Sequence, residues 1–128
     1  SLSLAAVEAK IDAGRGHVFG VYDAFIEHAV ASLQAGSMGL SCIQGNYFPD
    51  LIVELCRAPE QGQRIQEFMC KHMELMHTAY PTSAKYVLAS MGFPIGLETR
   101  REVGELTAEI RSALDKLIAE RKNLFKTS

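Results

Sequence analysis

The 128-residue sequence has no tryptophan, only four prolines and only three cysteines. Cys42, Cys56 and Cys70 form an odd set with no CxxC or CxxxxC spacing. That excludes an obvious disulfide framework and argues for reduced thiols in a cytoplasmic setting. Charge of one sign is also missing. Thirteen Lys and Arg stand against fifteen Asp and Glu, a formal net charge of −2. No basic field is present to draw nucleic acid or an anionic membrane. No apolar run approaches the roughly 18 residues of a membrane span. No signal peptide is visible, although Ser1 has the look of a processed end, which leaves a removed leader open. Internal repeats and low-complexity segments are absent. What remains is a mixed-charge chain, 48% hydrophobic, of a length that suits one domain or a piece of a larger one.

The organising stretch is Gly36-Ser-Met-Gly-Leu-Ser-Cys-Ile-Gln-Gly-Asn-Tyr-Phe-Pro49. Leu40 to Ile43 is a short apolar run between glycines, too short for a helix and suited to a buried strand. Pro49 fits the first turn of a following helix, where its missing N–H is not needed. Upstream, Leu4, Val7 and Ile11 predict a helix over 3–13, stopped by Gly14 and Gly16. His17 to Tyr22 reads as another strand. Asp23 can cap a helix over 24–35, whose stripe is Phe25, Ala29, Val30 and Leu33. Helices are then expected over 49–58, with Leu51, Ile52, Leu55 and Cys56 inward, and over 62–79, 83–91 and 101–123. Residues 93–100 read as irregular.

Helix and strand alternate twice before the helices take over. Two parallel strands do not make a stable sheet alone, because such sheets are buried on both faces by their neighbours. The expectation is therefore α/β: the C-terminal part of a longer (β/α) protein. Residues 1–58 would carry the last two β/α units, and 59–128 a C-terminal helical region. Ligands of parallel sheets collect at the carboxyl ends of the strands, here Ile43 to Asn46.

At these residues the chain resembles the dihydrodipicolinate synthase/N-acetylneuraminate lyase family of pyruvate-dependent class I aldolases. Gly36-Ser-Met-Gly39, Ser41, Asn46 and Pro49 match its last barrel strand. Tyr80-Pro-Thr-Ser-Ala-Lys85-Tyr-Val-Leu88-Ala-Ser-Met-Gly92 resembles its downstream Pro-hydrophobic-Lys-x-x-Leu-x-x-x-Gly segment. Glu98-Thr-Arg100 is similar to its arginine-containing turn before the last helix. The resemblance implies a (β/α)8 barrel with extra helices, no cofactor, and a Schiff base between a lysine and pyruvate or another 2-oxo acid. That lysine would lie upstream of Ser1, so no catalytic residue is expected in this chain. The family's tyrosine and carboxylate-binding Gly/Thr motif would also lie upstream. The resemblance places backbone carbonyls of Ser41 and Ile43 near the lysine. It places Gly20-Val-Tyr-Asp23 where the family's loop meets the second substrate, but the usual acidic pair of that loop is altered here.

Each candidate has a plainer reading. Asp23 is a substrate contact or simply an N-cap. Asn46 is a ligand or support for the site, or a loop former that satisfies backbone groups. Lys85 sits among Ala84, Tyr86, Val87 and Leu88, as an amine of lowered pKa would, yet helical lysines commonly run their stems over apolar surface. His72 and His77, five apart beside Cys70, are poorly spaced for one metal ion and lack a fourth ligand, so no metal is expected. Met69, Met73 and Met76 read as a core face, and Cys42 as a small core residue.

The function expected is thus that of the C-terminal part of a class I aldolase or lyase, enzymatic only when full length. Its partners would be the N-terminal remainder of the same barrel, 2-oxo acid and aldehyde substrates, and other copies in a homo-oligomer. The rival is a non-catalytic helical assembly or interaction module. Another (β/α)8 enzyme with a phosphate site is disfavoured because neither loop is a Gly-rich cradle.

Overall fold

The computed structural model describes residues 3–126. The chain divides into two compact units, residues 1–70 and 71–128.

The first unit opens with α1 (Leu4–Gly14), where Ser3 Oγ accepts the Ala6 N–H at 3.3 Å. Its one fully buried side chain, Val7, faces the side on which α1 packs against α2 (Ala29–Ala35). Between them lies β1 (Tyr22–Asp23), then a 3-10 turn at Ile26–His28. Gly36, at a φ of 113°, closes α2 in the left-handed conformation that favours glycine, and its N–H bonds back to the helix. The chain then enters β2 (Gly39–Leu40), which pairs parallel to β1 with Tyr22 opposite Gly39 and Asp23 opposite Leu40.

After β2 a second 3-10 turn, Ile43–Asn46, leads into α3 (Pro49–Arg57), with Pro49 in its first turn. α3 buries Leu51, Ile52 and Leu55, while Cys56, expected inward, is exposed. A third 3-10 turn, Pro59–Gln61, precedes α4 (Gln63–Lys71), which adds Ile65, Phe68 and Met69 to the core. Phe48 lies between Tyr47 and Phe68, with ring centroids 5.0 and 6.0 Å away. Gln66 ties α4 to the start of α2: its Oε1 accepts the Val30 N–H at 2.8 Å and its Nε2 donates to the Glu27 carbonyl at 2.9 Å. No side-chain cap serves that end of α2, so Gln66 satisfies a first-turn donor left without an intrahelical partner.

The second unit contains α5 (Met73–Thr78), α6 (Thr82–Ser90) and α7 (Ala108–Asn123), packed on one another around Met76, Val87, Leu114 and Leu117. Ser83 Oγ donates to the Met76 carbonyl in the interior. The helix expected over 62–79 breaks at His72, and Glu120 receives both His72 and Lys71, at 3.1 and 2.9 Å. The last helix starts at Ala108, well after Arg101, because Thr107 is its cap and accepts the Ile110 N–H at 3.2 Å. Gly104 approaches the Thr78 carbonyl so closely that a Cβ would collide with it, which suits an irregular approach to α7.

The structure overturns the (β/α)8 expectation. Among the described residues there are seven α-helices and one sheet of two strands, each two residues long. No part of a barrel is evident among the described residues. Residues 17–21 fail to become strand although their side chains favour one. Strand propensity is realised only where a partner supplies hydrogen bonds and packing. Val18 and Phe19 are 111% and 63% exposed, and neither lies in the sheet. Ile43, expected at the end of a strand over 40–43, instead begins a 3-10 turn that Tyr47 closes by donating to the Gln44 carbonyl at 3.2 Å. No helix among the described residues is long and apolar enough to cross a membrane.

Two measurements check this packing. Leu114, fully buried, should cost about 2–5 kcal/mol when cut to alanine, read as a lower urea midpoint. A loss under about 1 kcal/mol would place Leu114 outside a packed core. The Glu120 carboxyl is held below its usual value by the Lys71 ammonium and then by His72. Its folded pKa is lowered, so its contribution is present above about pH 4.3 and lost as pH falls through the folded value. Because the side chain is 41% exposed, Glu120→Gln should cost only about 0.5 kcal/mol at neutral pH and nothing in strong acid.

Candidate functional site

The carboxyl ends of β1 and β2 bring together the residues with most capacity for chemistry. Asp23 ends β1 opposite Leu40, and its carbonyl accepts the Ser41 N–H at 2.7 Å. Cys42 is buried just beyond β2, and Gln44 is buried in the turn that follows. Ser41 and Asn46 are exposed, and Ile43 is half-buried.

Asp23 is 2% exposed, an unusual place for a carboxylate. It does not cap α2, which begins six residues later. Instead Oδ1 accepts the Phe25 N–H at 3.1 Å, a local turn in which the carboxylate stands in for a backbone acceptor. Oδ2 lies 2.8 Å from Nε2 of His28. Both atoms are buried, and the contact is out of line for a conventional hydrogen bond. The His28 ring stacks on Phe25, with centroids 5.9 Å apart, and its side chain keeps 18% of its exposure. The 3-10 turn at Ile26–His28 is what folds the imidazole back over the carboxylate.

The site residues expected from sequence are thus differently disposed. A backbone hydrogen bond joins Asp23 to Ser41. Asn46 lies at the far end of the 3-10 turn, and Ile43 at its start. His28 was not among the candidates. Its only signal is a histidine five residues after a strand-ending aspartate, and sequence spacing alone does not distinguish such a residue from a helix-surface histidine.

Burial pushes the Cys42 thiol up, although backbone N–H groups of its own turn partly offset this. Burial also raises Cys70, with Glu27 adding to it. All three cysteines are free. Lys85 Nζ donates to the Glu98 carbonyl, so its amine is engaged in holding the irregular segment beyond α6. The described residues contain no cluster of three or more metal-binding side chains. A cleft of about 360 Å³ opens near the amino end of β1, lined by Lys10, Ala13, Gly14, His17 and Phe19. None of the expected site residues lines it.

Neither a family model nor a curated protein matches the chain.

Thiol reactivity checks the site's geometry. Iodoacetamide should label exposed Cys56 first and buried Cys42 last, because the thiolate is the nucleophile and Cys42 is both shielded and raised in pKa. Peptide mapping that finds Cys42 labelled as fast as Cys56 would contradict the burial described.

Proposed function

We propose that the chain is part of a Schiff-base-forming class I aldolase or lyase that acts on pyruvate or another 2-oxo acid, with an aldehyde as second substrate. One observation carries the reading. The parallel register sets buried Asp23 opposite Leu40, and the Asp23 carbonyl accepts the N–H of Ser41, which belongs to the motif from Gly36 to Pro49 that resembles the aldolase family. Carboxyl ends of parallel strands are where loops and helix starts converge on ligands.

The chemistry requires an uncharged amine in reach of a carbonyl. None of the six lysines of this chain falls within the strands or the turns at their carboxyl ends. Lys85 is occupied by the Glu98 carbonyl. The reactive lysine is therefore assigned to a segment outside these residues, and this chain contributes the wall of the site. The exposed Val18, Phe19, Tyr22 and Met38 around the short sheet support such a neighbour, since large apolar groups clustered at a sheet edge are a surface for further polypeptide. A cytoplasmic setting and assembly into a homo-oligomer belong to the same proposal, the first supported by three free cysteines.

The second reading, a helical assembly module without catalysis, draws on a different observation. Residues 71–128 form a compact unit of their own, cored by Met76, Val87, Leu114 and Leu117.

Borohydride trapping separates the two. The longest natural protein containing this sequence, incubated with pyruvate and reduced, should gain one pyruvate-derived adduct on a lysine outside residues 1–128. The 128-residue chain alone should gain none. Trapping at Lys85 would move the active site into this chain, and no adduct in either protein would favour the assembly module.

A further inference from the structure

The Asp23–His28 pair is more than the aldolase reading requires. We propose that His28 is the proton-transfer group of this site, meeting a ligand hydroxyl or carbonyl oxygen, and that Asp23 is its positioning residue. This inference rests on the aldolase reading for the identity of the ligand. The pair itself stands on geometry.

Asp23 is too deeply buried to meet a ligand directly, at 2% exposure, whereas the His28 side chain retains 18%. The accessible partner is therefore the imidazole. With Oδ2 2.8 Å from Nε2, the carboxylate favours a proton on Nε2. That leaves the lone pair on Nδ1, since the partner of one ring nitrogen decides the state of the other. Oδ1 is already committed to the Phe25 N–H, which fixes the carboxylate, and stacking on Phe25 limits the ring. A carboxylate that orients an imidazole and stabilises its protonated form is the general arrangement of acid–base catalysis. The imperfect line between Nε2 and Oδ2 fits it, because such bonds tighten once a ligand engages the other nitrogen.

In the cleavage direction the steps balance as follows. The hydroxyl proton of the aldol adduct passes to His28 Nδ1, and the oxygen forms the aldehyde C=O. The adjacent C–C bond breaks, and its electron pair enters the iminium to give the enamine. Synthesis runs the same steps in reverse, the imidazolium returning its proton to the new alkoxide.

Two measurements test the proposal. Long-range ¹⁵N–¹H spectra of the 128-residue chain should show His28 as the Nε2–H tautomer, with that preference lost in Asp23→Asn. An Nδ1–H tautomer in the unmodified chain overturns the positioning role. In the full-length enzyme, His28→Gln should lower kcat on the order of 100-fold, while borohydride trapping of pyruvate persists. His28→Asn and Asp23→Asn, each checked for an unchanged circular dichroism spectrum, should also lower kcat with little change in KM for the 2-oxo acid. Variants that keep kcat within about twofold while losing only melting temperature make the pair a structural staple and overturn the proton-transfer role. Should the unmodified full-length enzyme trap no pyruvate, the aldolase reading fails and takes the proton-transfer role with it, while the tautomer measurement still decides the positioning role.

Discussion

The parallel register of Tyr22 with Gly39 and Asp23 with Leu40 is the constraint on which the first unit depends. Two residues per strand give few hydrogen bonds, so the pair is held by its surroundings. The Met38 N–H donates to Val21 at 2.8 Å and the Ser41 N–H to Asp23 at 2.7 Å, which extends the ladder past both ends. α2 crosses between the strands, and α3 packs against both α2 and β2. Slipping the register by one residue would turn the buried Asp23 to the opposite face of the sheet.

That register also explains why the site is polar in an apolar unit. A buried carboxylate is tolerated only with partners, and Asp23 finds them within five residues of itself. Buried Ser32 and Ser37 satisfy each other at 2.7 Å across the end of α2. Gln66 supplies the third such connection from α4. Polar contacts thus tie α4 to the start of α2 and close its end, while Phe48, Leu51, Leu55 and Phe68 supply the apolar burial beneath. The second unit is built differently. Its interior is mainly apolar, with Ser83 bonded to the Met76 carbonyl inside it, and its Lys71–Glu120 contact lies at the surface, where it contributes little to stability.

Large exposed apolar groups of the first unit lie in and just before the strands: Tyr22 in β1, with Val18, Phe19 and Met38 in the segments that lead into β1 and β2. Sheet edges normally carry charge, proline or a cover against further pairing. The four side chains here carry none. Function and fold meet at that point, since the candidate site lies at one end of the short sheet and the apolar groups lie in and just before its strands.

The helices were largely legible in the sequence, because apolar periodicity and local caps act within one element. Leu4, Val7 and Ile11 marked α1, Pro49 marked the start of α3, and Gly36 the end of α2. Where periodicity ran on it misled: the pattern did not show the break at His72, where the imidazole meets Glu120, or the start of α7 at Ala108, which the Thr107 cap sets. Strand extent was decided only by tertiary structure. Residues 17–21 and 41–43 have the composition of strand, but pairing here is limited to two residue pairs and the flanking Met38–Val21 and Ser41–Asp23 hydrogen bonds. The expectation of a barrel failed for that reason. Asp23 and Ser41 were singled out in the sequence through the aldolase resemblance, Asp23 also as an N-cap. His28 was not, because a 3-10 turn, which leaves no periodic signature over three residues, is what brings its imidazole to the carboxylate.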